Sequence, residues 1–200
     1  MRVFGYIILA IVLILGIAYV STYNQLNTGN QAVQAQKSLY SSALNNCSQQ
    51  IEAVWTAANQ YLAHESQTFQ NVAMARSGFL AAVDSFQAAD RTKQIDVVKR
   101  GQQATAAALN VNVQIEAYPD LKAIEATKEN MRNMESSISQ IKTALDDWIV
   151  VVKQYNTYRN SFFAGILGSM MSKFPAEFPY YEGEIQKLDV KSLNPQAGGK

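Results

Sequence analysis

This chain of 200 residues has one cysteine, one histidine, four prolines and little charge. A lone thiol cannot close an intrachain disulfide, and a lone imidazole excludes the usual two- and three-histidine metal sites. Cys47 therefore reads as a small buried residue. Proline is missing from residues 1–118, since Pro119, Pro175, Pro179 and Pro195 all fall in the last 82. Nothing in that stretch bars long helices. Charged side chains make up 16%, against roughly 25% in an average soluble chain. Their signs balance, with 17 Lys+Arg against 16 Asp+Glu and a formal net charge of +1. That balance gives no support to a nucleic-acid partner held by a strongly basic surface. The shortage of charge is uneven, because Lys37 is the only charged residue between Val3 and Ile51.

Catalytic patterns are missing as well. No G-x-S-x-G turn frames a serine, and no glycine-rich loop could cradle phosphate. His64-Glu65 is not an H-E-x-x-H motif, because the second histidine position is Thr68. Asp146 and Asp147 are adjacent on a helix, so their carboxylates diverge by about 100° and cannot form an acid/base dyad. The expectation is a protein that is not an enzyme and holds no metal or cofactor.

What is present begins with a membrane segment. Residues Val3 to Val20 are apolar or small throughout. A helix over them spans about 27 Å, near the roughly 30 Å of a bilayer's hydrocarbon core. An uncleaved transmembrane anchor over residues 1–22 is expected. A cleaved signal peptide, with Arg2 as its positive region, is the alternative. The run is longer than the about 7–15 residues of a signal peptide's apolar region, and no A-x-A site closes it. By the positive-inside rule, Arg2 keeps the N-terminus in the cytoplasm and sends the body out. Lipid is thus the first expected partner, through residues 3–20.

The body reads as helical. Met131, Met134, Ile138, Ile141, Leu145, Trp148, Val152 and Tyr155 alternate spacings of three and four, an a/d stripe on a helix starting near Leu121. Asp120, behind Pro119, is its expected N-cap. A second stripe runs Ile51, Val54, Ala58, Tyr61, Glu65, Thr68, Val72, Ala75, Phe79, Ala82 and Phe86, with Glu65 and Thr68 polar in an apolar register. A third helix is expected over about 91–117, after a turn at Ala88-Ala89-Asp90. Ser21 to Leu44 continues the membrane helix, and Asn45-Asn46 with Ser48 is the best break before the second helix. A continuous helix is the alternative.

Amphipathic helices joined by short turns bury their stripes against one another. The predicted fold is therefore all-α, an N-terminal transmembrane helix followed by an antiparallel up-and-down four-helix bundle over residues 23–162. The second and fourth helices read longer than the other two, so tilt or breaks near Gly78 and Trp148 must absorb the difference. Residues 163–200 form an aromatic-rich segment and a frayed tail. Because the fourth helix returns toward the membrane, Phe162, Phe163, Ile166, Leu167, Met170 and Met171 are expected as a membrane-proximal or partner patch. Folding back over the end of the bundle is the alternative for this segment.

Some residues match a family pattern. Tyr23-Asn24 lies just past the membrane helix, and His64-Glu65 is followed by Thr68-Phe69, Val72 and Ala75-Arg76. Glu116, Ala117 and the run Tyr118-Pro119-Asp120-Leu121-Lys122-Ala123 come next, then Glu135, Ile138, and Tyr155-Asn156 leading to Phe162. In order and spacing these resemble the LemA family of bacterial membrane-anchored proteins, over roughly residues 20–165. The Tyr-Pro-Asp-Leu-Lys-Ala run is the most specific part. The resemblance implies a short N-terminus, one helix in the bacterial cytoplasmic membrane, and a four-helix bundle of unassigned molecular function. A family member in magnetosome membranes implies roles in organising specialised membranes. Where the family carries a basic pair and a proline turn, this chain reads Asn46-Cys47-Ser48-Gln49-Gln50-Ile51. A partner docking on that basic turn is not implied here.

Two functional readings follow. The first is a non-catalytic scaffold that organises membrane or partner proteins by self-association, since Ser21 to Gln36 offers amide, hydroxyl and small side chains that pack without desolvating charge. The second is a ligand-sensing bundle, whose only candidate polar cluster is Glu65 with Tyr61 and Tyr118. His64 and Glu65 are otherwise expected to form a buried polar contact, with Tyr118, Tyr155 or Asn156 as partners.

Overall fold

The computed structural model describes residues 2–59, 66–116, 125–171 and 173–182. Every regular element among these residues is an α-helix: α1 (Arg2–Asn59), α2 (Ser66–Arg91), α3 (Val97–Glu116), α4 (Glu125–Arg159) and α5 (Phe162–Met170).

α1 is one unbroken helix of 58 residues, about 87 Å long. The break expected at Asn45-Asn46 and Ser48 does not occur, and Ile51, Val54 and Ala58 belong to α1 rather than to the second helix. Packing explains the difference. Leu26, Val33, Tyr40, Leu44, Cys47, Ile51, Val54 and Ala58 form one continuous stripe, each no more than 2% exposed. The polar residues find local outlets. Ser48 Oγ donates back to the Leu44 carbonyl at 3.0 Å, and Asn46 Nδ2 donates to Ser137 Oγ at 3.4 Å. The start of α1 is long and apolar enough to cross a membrane, and none of Val3 to Val20 is buried.

α1 packs chiefly on α4, and α2 on α3. Gly29 lies under Tyr155, Tyr40 stacks on Trp148, and Asn46 reaches Ser137, so contacts that climb α1 descend α4. The predicted α4 stripe from Met131 to Tyr155 is the buried one. Neither Gly78 nor Trp148 interrupts its helix; because α1 takes residues 51–59, the long helices are α1 and α4, which pack together, and the short ones α2 and α3.

One layer draws on all four long helices. Tyr40 of α1, Phe86 of α2 and Trp148 of α4 pack with ring centroids 5.3–6.2 Å apart. Gly101 of α3 fills the fourth place, and a Cβ there would lie 3.0 Å from the Trp148 ring and 3.1 Å from that of Tyr40. Tyr40 Oη donates to the Gly101 carbonyl at 2.6 Å. With its one proton committed, the phenol oxygen accepts from the Thr105 hydroxyl at 3.0 Å.

The turn expected at Ala88-Ala89-Asp90 comes later. Lys93 adopts a left-handed φ of 52°, the Gln94 N–H donates to the Ala89 carbonyl at 2.9 Å, and the Lys93 N–H donates to that of Asp90 at 3.1 Å. This is a Schellman ending with lysine at the position usually given to glycine. Ala89 is buried, so the helix must continue through it before the chain can turn.

Only part of the C-terminal segment folds back over the body. Phe174 and Phe178 are buried on the body, whereas Phe162, Phe163, Ile166 and Met170 of α5 are exposed. Leu167 and Met171 are half-buried.

Candidate functional site

The motif residue Tyr23 meets the C-terminal segment at the end of the body nearest the apolar residues 3–20. Tyr23, three residues past Val20, lies edge-on to Phe174 with centroids 5.6 Å apart. Lys173 Nζ donates to Tyr23 Oη at 3.2 Å. From there residues 173–182 run back along the body as an extended strap. Tyr155 Oη donates to the Pro175 carbonyl at 2.6 Å, and burial holds this phenol above its ordinary range, partly offset by Arg159.

Two side-chain amides grip the strap as a neighbouring backbone would. Asn156 Nδ2 donates to the Phe178 carbonyl at 3.0 Å, and Asn156 Oδ1 accepts from the Phe178 N–H at 3.0 Å. Gln102 of α3 repeats the arrangement on Tyr181, donating at 3.0 Å and accepting at 2.7 Å. Lys153 stands over the Tyr180 ring and Lys99 over that of Tyr181. The motif pair Tyr155-Asn156 thus works on the strap. The polar contact expected of His64 and Glu65 falls outside the described residues, as do Tyr61, Tyr118, Pro119 and Asp120.

Arg159 is a residue the sequence reading missed. Buried at the end of α4, it donates from Nη1 to the carbonyls of Ala164 and Gly165, each at 3.3 Å, and so holds α5 against the body. Gly168 leaves room for it, since a Cβ there would come within 2.7 Å of the guanidinium. The legible signal was the small pair Ala164 and Gly168, four apart on one helix face. Gln102 carried no such signal.

Between α1 and α4 lies a groove of about 400 Å³, lined by Asn24, Gln25, Thr28, Gly29, Gln154, Tyr155 and Tyr158 among others. None of its lining residues is charged. Arg76 acts elsewhere. Its Nε and Nη2 each donate at 2.7 Å to one oxygen of Glu52, and its guanidinium lies over the Trp55 ring, joining α2 to α1. Lys37 is paired with Asp90 at 2.5 Å. Asp146 and Asp147 are both exposed. Cys47 is buried, and burial pushes its thiol up to about 12.

The profile of the LemA family matches residues 41–191. The chain belongs to the LemA family. Neither a curated protein nor a solved structure matches it. The LemA match extends beyond position 165, the end of the sequence resemblance, and takes in α5 and the strap gripped by Asn156 and Gln102. In this LemA-family chain, the place of the basic pair and proline is the interior of α1, where Cys47, Ile51 and Val54 are core residues.

Proposed function

We propose that this LemA-family protein is a non-catalytic scaffold of the bacterial cytoplasmic membrane. Residues 3–20 cross the lipid once, and an antiparallel up-and-down four-helix bundle stands on the extracytoplasmic side. It organises membrane or partner proteins through self-association. The supporting observation is the outer face of α1 directly above the span. Asn24, Gln25, Thr28, Gln31 and Ala35 are exposed there, fall within an arc of about 120°, and carry no charge. A second copy can cover such a face without stripping water from ions. Because the same helix continues into the core, the face is held rigidly relative to the membrane.

Size measurement on the full chain in mild detergent tests this. A dimer or larger species is expected across a concentration series, and a clean monomer at the highest concentration overturns self-association. A ligand-sensing bundle is the second reading, favoured by the uncharged groove between α1 and α4. Monomeric behaviour would leave that reading in place.

A further inference from the structure

α5 has the amphipathic pattern of a soluble helix turned inside out. Its buried residues are the small ones, Ala164 and Gly168, which seat it against Arg159. Its large apolar residues face away: Phe162 is 75% exposed, Phe163 57%, Ile166 51% and Met170 78%. At about 100° per residue these four fall within one arc of about 100°, opposite Ala164 and Gly168. α5 contains no charged residue at all, and its only hydroxyl, on Ser169, is turned back to the Gly165 carbonyl at 2.7 Å. A face of this kind is unfavourable in water and signals an apolar partner.

We propose that the partner is the phospholipid bilayer itself. α5 lies flat in the membrane–water interface, with Phe162, Phe163, Ile166 and Met170 in the acyl–headgroup boundary beside the point where α1 emerges. Position argues for lipid over protein. α5 packs against α1, and the strap that follows it reaches Tyr23, about 5 Å above the last residue of the span. The exposed face of α5 thus lies at the same end of the body as the exposed apolar residues 3–20. Charge agrees. The first charged residue after α5 is the cation Lys173. Lys173 is exposed at the level of Tyr23, where headgroup phosphates would lie. Two membrane contacts, one spanning and one flat, would fix which way the body is rotated about α1. The uncharged face above the span would then be presented in one direction along the membrane plane.

The inference rests on residues 3–20 crossing the bilayer, so its test reads both. Nitroxide labels are placed singly at Phe163→Cys, Ile166→Cys, Ile11→Cys and Asp146→Cys in the full chain, with buried Cys47 left in place. The protein is reconstituted in vesicles of phosphatidylethanolamine and phosphatidylglycerol, and collisions with oxygen and with a water-soluble nickel chelate are compared. Labels at 163 and 166 are expected to favour oxygen, as at 11, and to lose most of the nickel collisions seen at 146. If position 11 favours oxygen while 163 and 166 meet nickel as freely as 146, α5 is in water; the anchor stands and this inference fails. Shielding of 163 from both reagents, with dipolar broadening between labels, would mean that a second copy covers α5, which also overturns it. Nickel access at position 11 would remove the anchor and the inference together.

Discussion

A methyl group at position 101 has no free space, because the Tyr40 and Trp148 rings beside it are both fully buried. Gly101→Ala should therefore destabilise the protein: overpacking of about 1–3 kcal/mol exceeds the roughly 1 kcal/mol that alanine gains in a helix. At Gly78 a Cβ meets nothing within 4 Å, so Gly78→Ala keeps only the gain. Paired thermal melts should move in opposite directions, and a shift of the same sign would contradict the packing of this layer. Cys47 gives a pH dependence. Burial raises its thiol from its ordinary value of 9.0 to about 12, so between those values the folded chain holds a proton that the unfolded chain has lost. The thiol's contribution is intact below pH 9 and lost as pH rises toward 12. Tyr40, also raised by burial, adds to the decline in the alkaline range. Denaturant melts across this range should show stability falling with pH, with a shallower fall in Cys47→Ala. Iodoacetamide at pH 8 should leave the native thiol unmodified and label it once denaturant is added.

Among the elements, α1 and the strap show where sequence reading stops. The α4 stripe was legible because its apolar residues recur at helical spacing, and it proved to be the buried one, whereas the stripe from Ile51 to Phe86 falls across the end of α1 and α2. The end of the first helix was misjudged at Asn45-Asn46 and Ser48. Amides and hydroxyls signal a break only when they lack a partner within or beside the helix, and here Leu44 and Ser137 supply acceptors. That the C-terminal segment folds back was one of two expected outcomes, but which groups would hold the strap was not legible. Its hydrogen bonds come from Asn156 and Gln102, far from it in sequence, and amides are too common for that pairing to be anticipated. Asn156→Ala should leave the Phe178 N–H and carbonyl without their partner, at a cost of about 1–3 kcal/mol. Hydrogen exchange at residues 174–182 should accelerate with the helices little changed, and unaltered protection there would show that the amide does not hold the strap.

For the molecule as a whole, α1 ties the body to the apolar residues 3–20 as a single rod, so on the proposed membrane crossing the side on which the body stands follows from their orientation. In intact cells a membrane-impermeant thiol reagent should label Asp146→Cys on the exposed face of α4; labelling that requires lysis would place the body in the cytoplasm. The sequence by itself determined the helical class, the LemA family, the apolar span and the buried stripe of α4, because composition, motif order and periodicity are properties of neighbours along the chain. Tertiary structure decided where α1 ends, what Tyr155, Asn156 and Arg159 hold, and how the aromatic C-terminal segment divides between body and surface. Those outcomes depend on groups that packing brings together, such as Asn46 with Ser137 and Gln102 with Tyr181. A side chain's own identity does not say which distant backbone will lie beside it.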